Sequence, residues 1–147
     1  FKYTAYIKSP NHFRSPYIGD VYYFKNNYSK AFKFYELGAE LNNSDSQFFL
    51  ANLYFNGKVV PKNQYKAKKL YELSAKQGNA KSLFNLCYIY YHDKDYQKAF
   101  EYYKKSADLN LPSALCNLGT FYLEGNKFIR INYSKAKEYF EKSPKKK

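Results

Sequence analysis

One stretch of sequence recurs four times along this chain of 147 residues. Its copies read NYSKAFKFYELGAELN from Asn27, NQYKAKKLYELSAKQG from Asn63, DYQKAFEYYKKSADLN from Asp95 and NYSKAKEYFEKSPKKK from Asn132. Each copy has an alanine four residues after its start, at Ala31, Ala67, Ala99 and Ala136. A pattern that returns at such regular intervals indicates a fold assembled from stacked copies of one small unit.

Each copy predicts an amphipathic helix. The asparagine or aspartate at its start is a good N-cap, because the side-chain oxygen can accept a backbone N–H of the first turn. In the second copy, Ala67, Leu70, Tyr71, Ser74 and Ala75 follow the spacing of one helical face. Small and large residues alternate on this face in every copy, which favours close packing against a neighbouring helix. Pro144 ends the last of these helices.

A second helix is predicted before each copy. Its versions read SPYIGDVYYF from Ser15, QFFLANLYFN from Gln47, LFNLCYIYYH from Leu83 and LCNLGTFYLE from Leu115. Every version has an aliphatic residue, then a small residue and, three positions later, a tyrosine. The small residues are Gly19, Ala51, Cys87 and Gly119, and the tyrosines are Tyr22, Tyr54, Tyr90 and Tyr122. This order predicts pairs of closely packed antiparallel helices, whose first and second members we call the A helix and the B helix.

The whole pattern, LGxxY followed by a turn and D/NxxKAxxxYxxSA, resembles the Sel1-like repeat, a relative of the tetratricopeptide repeat. The resemblance is closest in residues 46–79 and 113–143, which keep the turn glycines Gly57 and Gly125. The other two copies have a shorter turn without glycine and resemble the tetratricopeptide form. The resemblance implies an all-α fold, a right-handed α-solenoid of about four antiparallel helix pairs that together bury one core.

A single repeat domain is expected over residues 14–143, with units at about 14–45, 46–81, 82–113 and 114–143 and a basic tail at 144–147. Residues 1–13 are expected to form either an N-terminal segment or the end of a preceding helix. The chain contains no methionine and starts at Phe1. It is therefore expected to be exported or periplasmic if Phe1 follows a removed signal peptide, and cytoplasmic otherwise.

The net charge of +13 suits an acidic protein, a nucleic acid or an anionic membrane. However, residues 46–56, 82–91 and 114–124 of the A helices contain no lysine or arginine. In solenoids of the related families the A helices line the concave groove, which implies that the charge lies mainly on the convex face. Binding of nucleic acid, acidic protein or anionic membrane by that face is the alternative function.

The groove supplies the candidate binding residues. By resemblance to tetratricopeptide repeats, partner contacts come from fixed A-helix positions spaced i, i+4 and i+7, which share one face. Carried over to this sequence, the candidates are Asp20, Tyr23, Phe48, Asn52, Phe55, Phe84, Tyr88, Tyr91, Thr120 and Leu123. This face is aromatic and nearly uncharged, which is typical of a surface that binds a protein. The opposing interpretation is that A helices pack sideways and bury part of it, above all at the Phe48 and Phe84 position.

The predicted function is a non-catalytic scaffold or adaptor that holds a peptide, a helix or a partner subunit in its groove. Self-association through the open ends of the repeat array is a further expectation. No enzyme, cofactor or metal site is predicted, because His12 and His92 lie apart and HDKD at 92–95 reads as an ordinary polar turn. Cys87 and Cys116 are predicted to be free thiols, since adjacent helices lie about 8–10 Å apart and a disulfide needs about 7 Å or less between Cα atoms.

Overall fold

The structure, a computed structural model, describes residues 15–144, which form eight α-helices and contain no β-strand. The helices are α1 (Ser15–Phe24), α2 (Tyr28–Glu40), α3 (Ser44–Asn56), α4 (Gln64–Lys76), α5 (Ala80–His92), α6 (Tyr96–Asp108), α7 (Pro112–Glu124) and α8 (Tyr133–Lys142). Odd-numbered helices are the A helices and even-numbered helices the B helices. Four helix pairs without a strand in these described residues confirm the predicted fold class. The predictions for residues 1–13 and for most of the basic tail lie outside the described residues.

The B helices begin at the predicted caps. The side-chain oxygens of Asn27, Asn63, Asp95 and Asn132 each accept a hydrogen bond from the backbone N–H three residues later, at 3.0 to 3.3 Å. Such caps satisfy one of the backbone donors that the first turn leaves without a partner. The local sequence therefore determines where these helices start.

Three A helices begin one turn earlier than their hydrophobic pattern indicates. The pattern places their starts at Gln47, Leu83 and Leu115, whereas α3, α5 and α7 begin at Ser44, Ala80 and Pro112. In α3 the added turn is capped by Asn43, which accepts a hydrogen bond from the Ser46 N–H at 2.8 Å. In α7 Pro112 occupies the first turn, where its missing N–H costs nothing. These first turns are polar or small, so a reading based on apolar periodicity misses them.

The connections between A and B helices alternate in length as predicted. Three residues separate the helices in the first and third pairs, at 25–27 and 93–95, whereas the second and fourth pairs have long turns at 57–63 and 125–132. Gly57 opens the first long turn with a φ of +67°, in the left-handed region that favours glycine. A Cβ atom there would also lie 3.1 Å from the Lys62 backbone nitrogen. The glycine therefore permits the chain to fold back tightly.

The chain forms two compact units, which meet in sequence between Asn79 and Ala80. The first unit contains α1 to α4, and its core is centred on Tyr35 and Leu53. A Cβ atom on Gly19 would lie only 2.7 Å from the Tyr35 ring, so the glycine makes room for this ring against α1. The second unit contains α5 to α8, with Leu86, Cys87 and Leu118 fully buried. The single domain over residues 14–143 stays a prediction.

A lysine and a tyrosine form the same contact in all four helix pairs. The lysine directly before the repeat alanine places its Nζ 5.1 to 5.2 Å from the ring centre of the A-helix tyrosine. The pairs are Lys30 with Tyr22, Lys66 with Tyr54, Lys98 with Tyr90 and Lys135 with Tyr122. In three pairs the tyrosine also stacks on a B-helix aromatic ring, with centroids 5.4 to 5.8 Å apart. Part of the positive charge therefore stabilises each repeat through cation–π contacts.

Candidate functional site

In the first unit, two predicted groove residues hold the helix pairs together. Asp20 accepts a hydrogen bond from the Tyr35 hydroxyl at 2.7 Å, and Asn52 accepts one from the Tyr71 hydroxyl. Asp20 and Asn52 occupy the same repeat position, so this position joins an A helix to its own B helix twice. Burial, together with the hydrogen bond to Asp20, raises the pKa of Tyr35 well above its usual range. The hydroxyl therefore remains a donor.

Three other predicted groove residues of the first unit also make internal contacts. The Tyr23 ring packs against the rings of Tyr28, Tyr35 and Phe49, with centroids 5.2 to 6.2 Å apart. Phe55 is half-buried and lies 5.9 Å from the Lys62 Nζ. Phe48 is only 9 % exposed.

The prediction that Phe48 is available to a partner differs from the structure. Its ring contacts Phe49 at 5.1 Å and Tyr71 at 6.0 Å between centroids, so neighbouring side chains cover it. Both rings belong to the same helix pair, since Phe49 lies on α3 itself and Tyr71 on its B helix α4, and sideways packing between A helices stays a prediction. The same reasoning does not extend to the second unit, where the equivalent Phe84 is 37 % exposed.

The exposed candidates lie in the second unit. Phe84, Tyr88 and Tyr91 follow one another at i, i+4 and i+7 along α5, and the last two are 53 % and 46 % exposed. On α7, Thr120 is exposed and Leu123 is 44 % exposed. We call these five residues the α5–α7 face. It combines large apolar side chains with helix segments that contain no lysine or arginine.

A cavity of about 530 Å³ brings Tyr91 and Thr120 together. Its walls also include Tyr96 and Tyr103 of α6 and Phe121 of α7. Tyr91 packs at 5.4 Å against Tyr96 and at 6.2 Å against Phe121, with the ring planes steeply inclined to each other. The end of α5, one face of α6 and the second half of α7 thus form a pocket with several aromatic walls.

Sequence reasoning missed most of this pocket. Tyr96 and Tyr103 are on a B helix, and Asn117, Phe121 and Glu124 occupy A-helix positions outside the set carried over from tetratricopeptide repeats. The aromatic residues at 91, 96 and 103 are visible in the sequence. Nothing in their spacing shows that they border one space, because that depends on how α5, α6 and α7 pack.

The hydroxyl of Tyr103 in this cavity is neutral at physiological pH. Burial raises the pKa of Tyr103 to about 12, and a hydrogen bond with the Asn117 side chain opposes this effect in part. The cavity wall therefore presents an uncharged phenol and an amide side by side. Such groups can position a ligand without adding charge to the site.

The described residues were also compared with what a metal site and a membrane-spanning helix require. Residues 15–144 hold no group of three histidine, cysteine or acidic side chains placed to bind a metal ion. None of the helices in this part of the chain is long and apolar enough to cross a membrane. His92 is exposed, and its ring lies 4.1 Å from that of Tyr88.

Both cysteines are free in the structure, as predicted, but their environments differ. Cys87 is fully buried and hydrogen-bonded with Ser106, and burial raises the pKa of its thiol to about 12. Cys116 is exposed on α7. Because the thiolate is the reactive form, we expect iodoacetamide to alkylate Cys116 and to leave Cys87 unmodified in the native protein at neutral pH. Intact mass should show one adduct.

Denaturant provides the control for this labelling. The unfolded chain should take two adducts, and native Cys116→Ser should take none. Rapid modification of that variant under native conditions would contradict the burial of Cys87.

The chain is similar to two related families of helical repeats. The Sel1 repeat pattern matches residues 17–43, 44–79 and 112–143, and the tetratricopeptide repeat pattern matches residues 80–111. The third copy thus has the tetratricopeptide form that its short turn indicates, whereas the first copy matches the Sel1 pattern despite its short turn. No curated protein matches the sequence at a significant level.

Two solved structures are similar to almost the whole chain. One is a protective antigen present in uropathogenic Escherichia coli strains and displaying an SLR fold, with 30% sequence identity over 96% of this chain and a TM-score of 0.80. The other is a Sel1 repeat protein from Oxalobacter formigenes, with 25% identity over 95% of this chain and a TM-score of 0.82. This chain spans 32% of the first protein and 60% of the second.

Proposed function

Because the chain belongs to the Sel1 repeat family, whose members generally mediate protein–protein interaction, we propose that it is a non-catalytic scaffold that holds a peptide or helix of a partner protein. The observation that carries this proposal is the α5–α7 face. Phe84, Tyr88 and Tyr91 expose large rings along one side of a single helix. Exposed apolar side chains grouped in this way are typical of surfaces that bind other proteins.

The composition of the face indicates how it binds. Aromatic side chains carry most of the binding energy at many protein interfaces, because they bury a large area and have few rotatable bonds. The cavity beside Tyr91 offers a place for one side chain of the partner. An amphipathic helix or an extended peptide can place such anchors at regular intervals along a helical surface.

Combined replacement of Phe84, Tyr88 and Leu123 by alanine is the test of this proposal. These three side chains are exposed and do not line the cavity, so the variant should remain folded. Partners captured by the wild-type protein from its source cells are identified by quantitative mass spectrometry, and each is then purified and titrated by calorimetry. We expect the variant to bind the purified partner at least about tenfold more weakly, as for the loss of interface anchors.

A matched variant carries Tyr65→Ala, Leu73→Ala and Tyr133→Ala on the B helices. These side chains are also exposed and apolar, so their loss should leave partner binding unchanged. Equal binding by the α5–α7 variant and the wild type would contradict the proposal. Binding that is lost only with nuclease or high salt would instead point to the basic surface.

A further inference from the structure

The cavity of the second unit has the walls of a site for a positively charged group. Its volume of about 530 Å³ lies within the roughly 300–1,000 Å³ of ligand pockets. Tyr91, Tyr96, Tyr103 and Phe121 border it, and the Tyr103 and Phe121 ring planes are inclined by 54°. Four aromatic rings therefore border the space, and each ring carries a π face. A cation within about 6 Å of such a face is attracted by the ring quadrupole.

Glu124 is the charged residue among those lining the cavity. It is exposed, and within residues 15–144 it forms no ion pair. The cavity walls in this part of the chain contain no lysine or arginine. The lining residues therefore carry a net negative charge, although the chain as a whole carries +13. At physiological salt, exposed charges more than about 8 Å from the cavity are largely screened.

The position of Glu124 argues against a role in helix stability. It is the last residue of α7, and the C-terminal end of a helix carries partial negative charge. A carboxylate there is unfavourable for the helix, whereas a lysine or a glutamine would be tolerated. A cation from another molecule, bound to this carboxylate, would offset its unfavourable interaction with the helix end.

We propose that this cavity binds the cationic side chain of an arginine or lysine of the protein partner. The ring faces attract the cation, Glu124 neutralises it, and Asn117 and Thr120 offer polar atoms for its N–H groups. An acidic side chain would face the Glu124 carboxylate, and an aliphatic one would leave that carboxylate without a counter-charge. The identity of the partner rests on the proposed function, but the chemistry of the pocket can be tested without a partner.

The test titrates the full ¹⁵N-labelled chain with N-acetyl-arginine methylamide, with the lysine analogue and with two probes of different charge. The neutral probe is N-acetyl-norleucine methylamide and the acidic probe is N-acetyl-glutamate methylamide. We expect the two cationic probes to bind at least about tenfold more tightly than the others. Their chemical-shift changes should concentrate at the cavity residues, near Tyr91, Tyr103 and Glu124.

Glu124→Gln is the matched variant, because it removes the charge and keeps the shape. It should weaken cation binding about tenfold without lowering the thermal midpoint of unfolding, since it relieves the unfavourable charge at the helix end. Glu101→Gln is the control, because Glu101 is exposed on α6 and lies outside the cavity. It should leave cation binding unchanged.

Three results would overturn the inference: equal affinity for the norleucine and arginine probes, no loss of affinity in Glu124→Gln, or shift changes spread over the surface. Each is distinguishable from failure of the proposed function. If no free cation binds but the Phe84, Tyr88 and Leu123 variant still loses its partner, the scaffold proposal stands and the cation pocket does not. If cations bind the cavity and that variant keeps its partner, the pocket stands and the α5–α7 face does not.

Discussion

Replacing Tyr35 with alanine is expected to lower the free energy of unfolding by about 3–5 kcal/mol, the range for deleting a buried aromatic side chain. Tyr35 is fully buried, and its ring stacks on Phe49 with centroids 5.0 Å apart. Its hydroxyl donates to Asp20 at 2.7 Å, so the deletion leaves a cavity and also removes a hydrogen bond. Denaturant unfolding followed by circular dichroism measures the loss.

Two further variants show how much of this loss comes from the hydroxyl of Tyr35 and how much depends on the burial of its ring. Tyr35→Phe keeps the ring and removes the donor to Asp20, and it should cost about 1 kcal/mol. Tyr65→Ala removes a tyrosine that is 71 % exposed and should change the stability by no more than about 0.5 kcal/mol. If Tyr35→Ala cost no more than Tyr65→Ala, Tyr35 would not be the centre of packing in the first unit.

The B helices could be predicted from the sequence because their signals are local. The caps Asn27, Asn63, Asp95 and Asn132 act within three residues, and the repeat alanines mark the packed face directly. The first turns of three A helices could not be predicted from apolar periodicity, because the residues at Ser44, Ala80 and Pro112 where these helices begin are polar or small. In α3 the N-cap Asn43 could have indicated the start of the helix, but several polar residues surround it in the sequence and none of them stands out as the cap.

The candidate site was less predictable, because exposure depends on side chains from other helices. Phe48 and Phe84 hold the same repeat position, yet the first is 9 % exposed and the second 37 %. Phe48 is covered by Phe49 and Tyr71, whose rings lie within 6.0 Å of it. A rule based on repeat position treats the two residues alike and cannot detect this difference.

The polar candidates show the same dependence on neighbouring residues. Asp20 and Asn52 accept hydrogen bonds from Tyr35 and Tyr71, which makes them part of the helix packing. In the last repeat a phenylalanine, Phe140, replaces that tyrosine, so Thr120 has no hydroxyl to receive there and bonds the Cys116 carbonyl oxygen of its own helix. The residues at this A-helix position thus bond differently in different repeats.

Stability is expected to fall by on the order of 2–3 kcal/mol through Tyr103 alone as the pH rises from about 10 to about 12. The folded pKa of Tyr103 is about 12, whereas a tyrosine in the unfolded chain titrates near 10. Because the folded pKa is the higher one, the unfolded state loses its proton first and is favoured at high pH. The contribution is complete below about pH 10 and is lost as the pH approaches 12. Each pKa unit corresponds to about 1.4 kcal/mol.

Cys87 should act in the same direction and begin earlier. Burial raises the pKa of its thiol to about 12, whereas an unfolded cysteine titrates near 8.5. The free energy of unfolding should therefore start to decline near pH 9 and fall more steeply above pH 10, where Tyr103 also contributes. Denaturant unfolding at a series of pH values between about 7 and 12 measures this profile.

Tyr103→Phe tests the assignment through the slope of this profile rather than through the stability at one pH. The variant loses the hydrogen bond with Asn117 and should be about 1 kcal/mol less stable at neutral pH. Above pH 10, however, its stability should fall less steeply, because the ionising group is gone. Tyr133→Phe removes an exposed tyrosine and should keep the wild-type slope. The same slope for Tyr103→Phe and Tyr133→Phe would mean that the Tyr103 hydroxyl titrates as an exposed phenol does. Burial would then not raise its pKa, which would contradict the assignment.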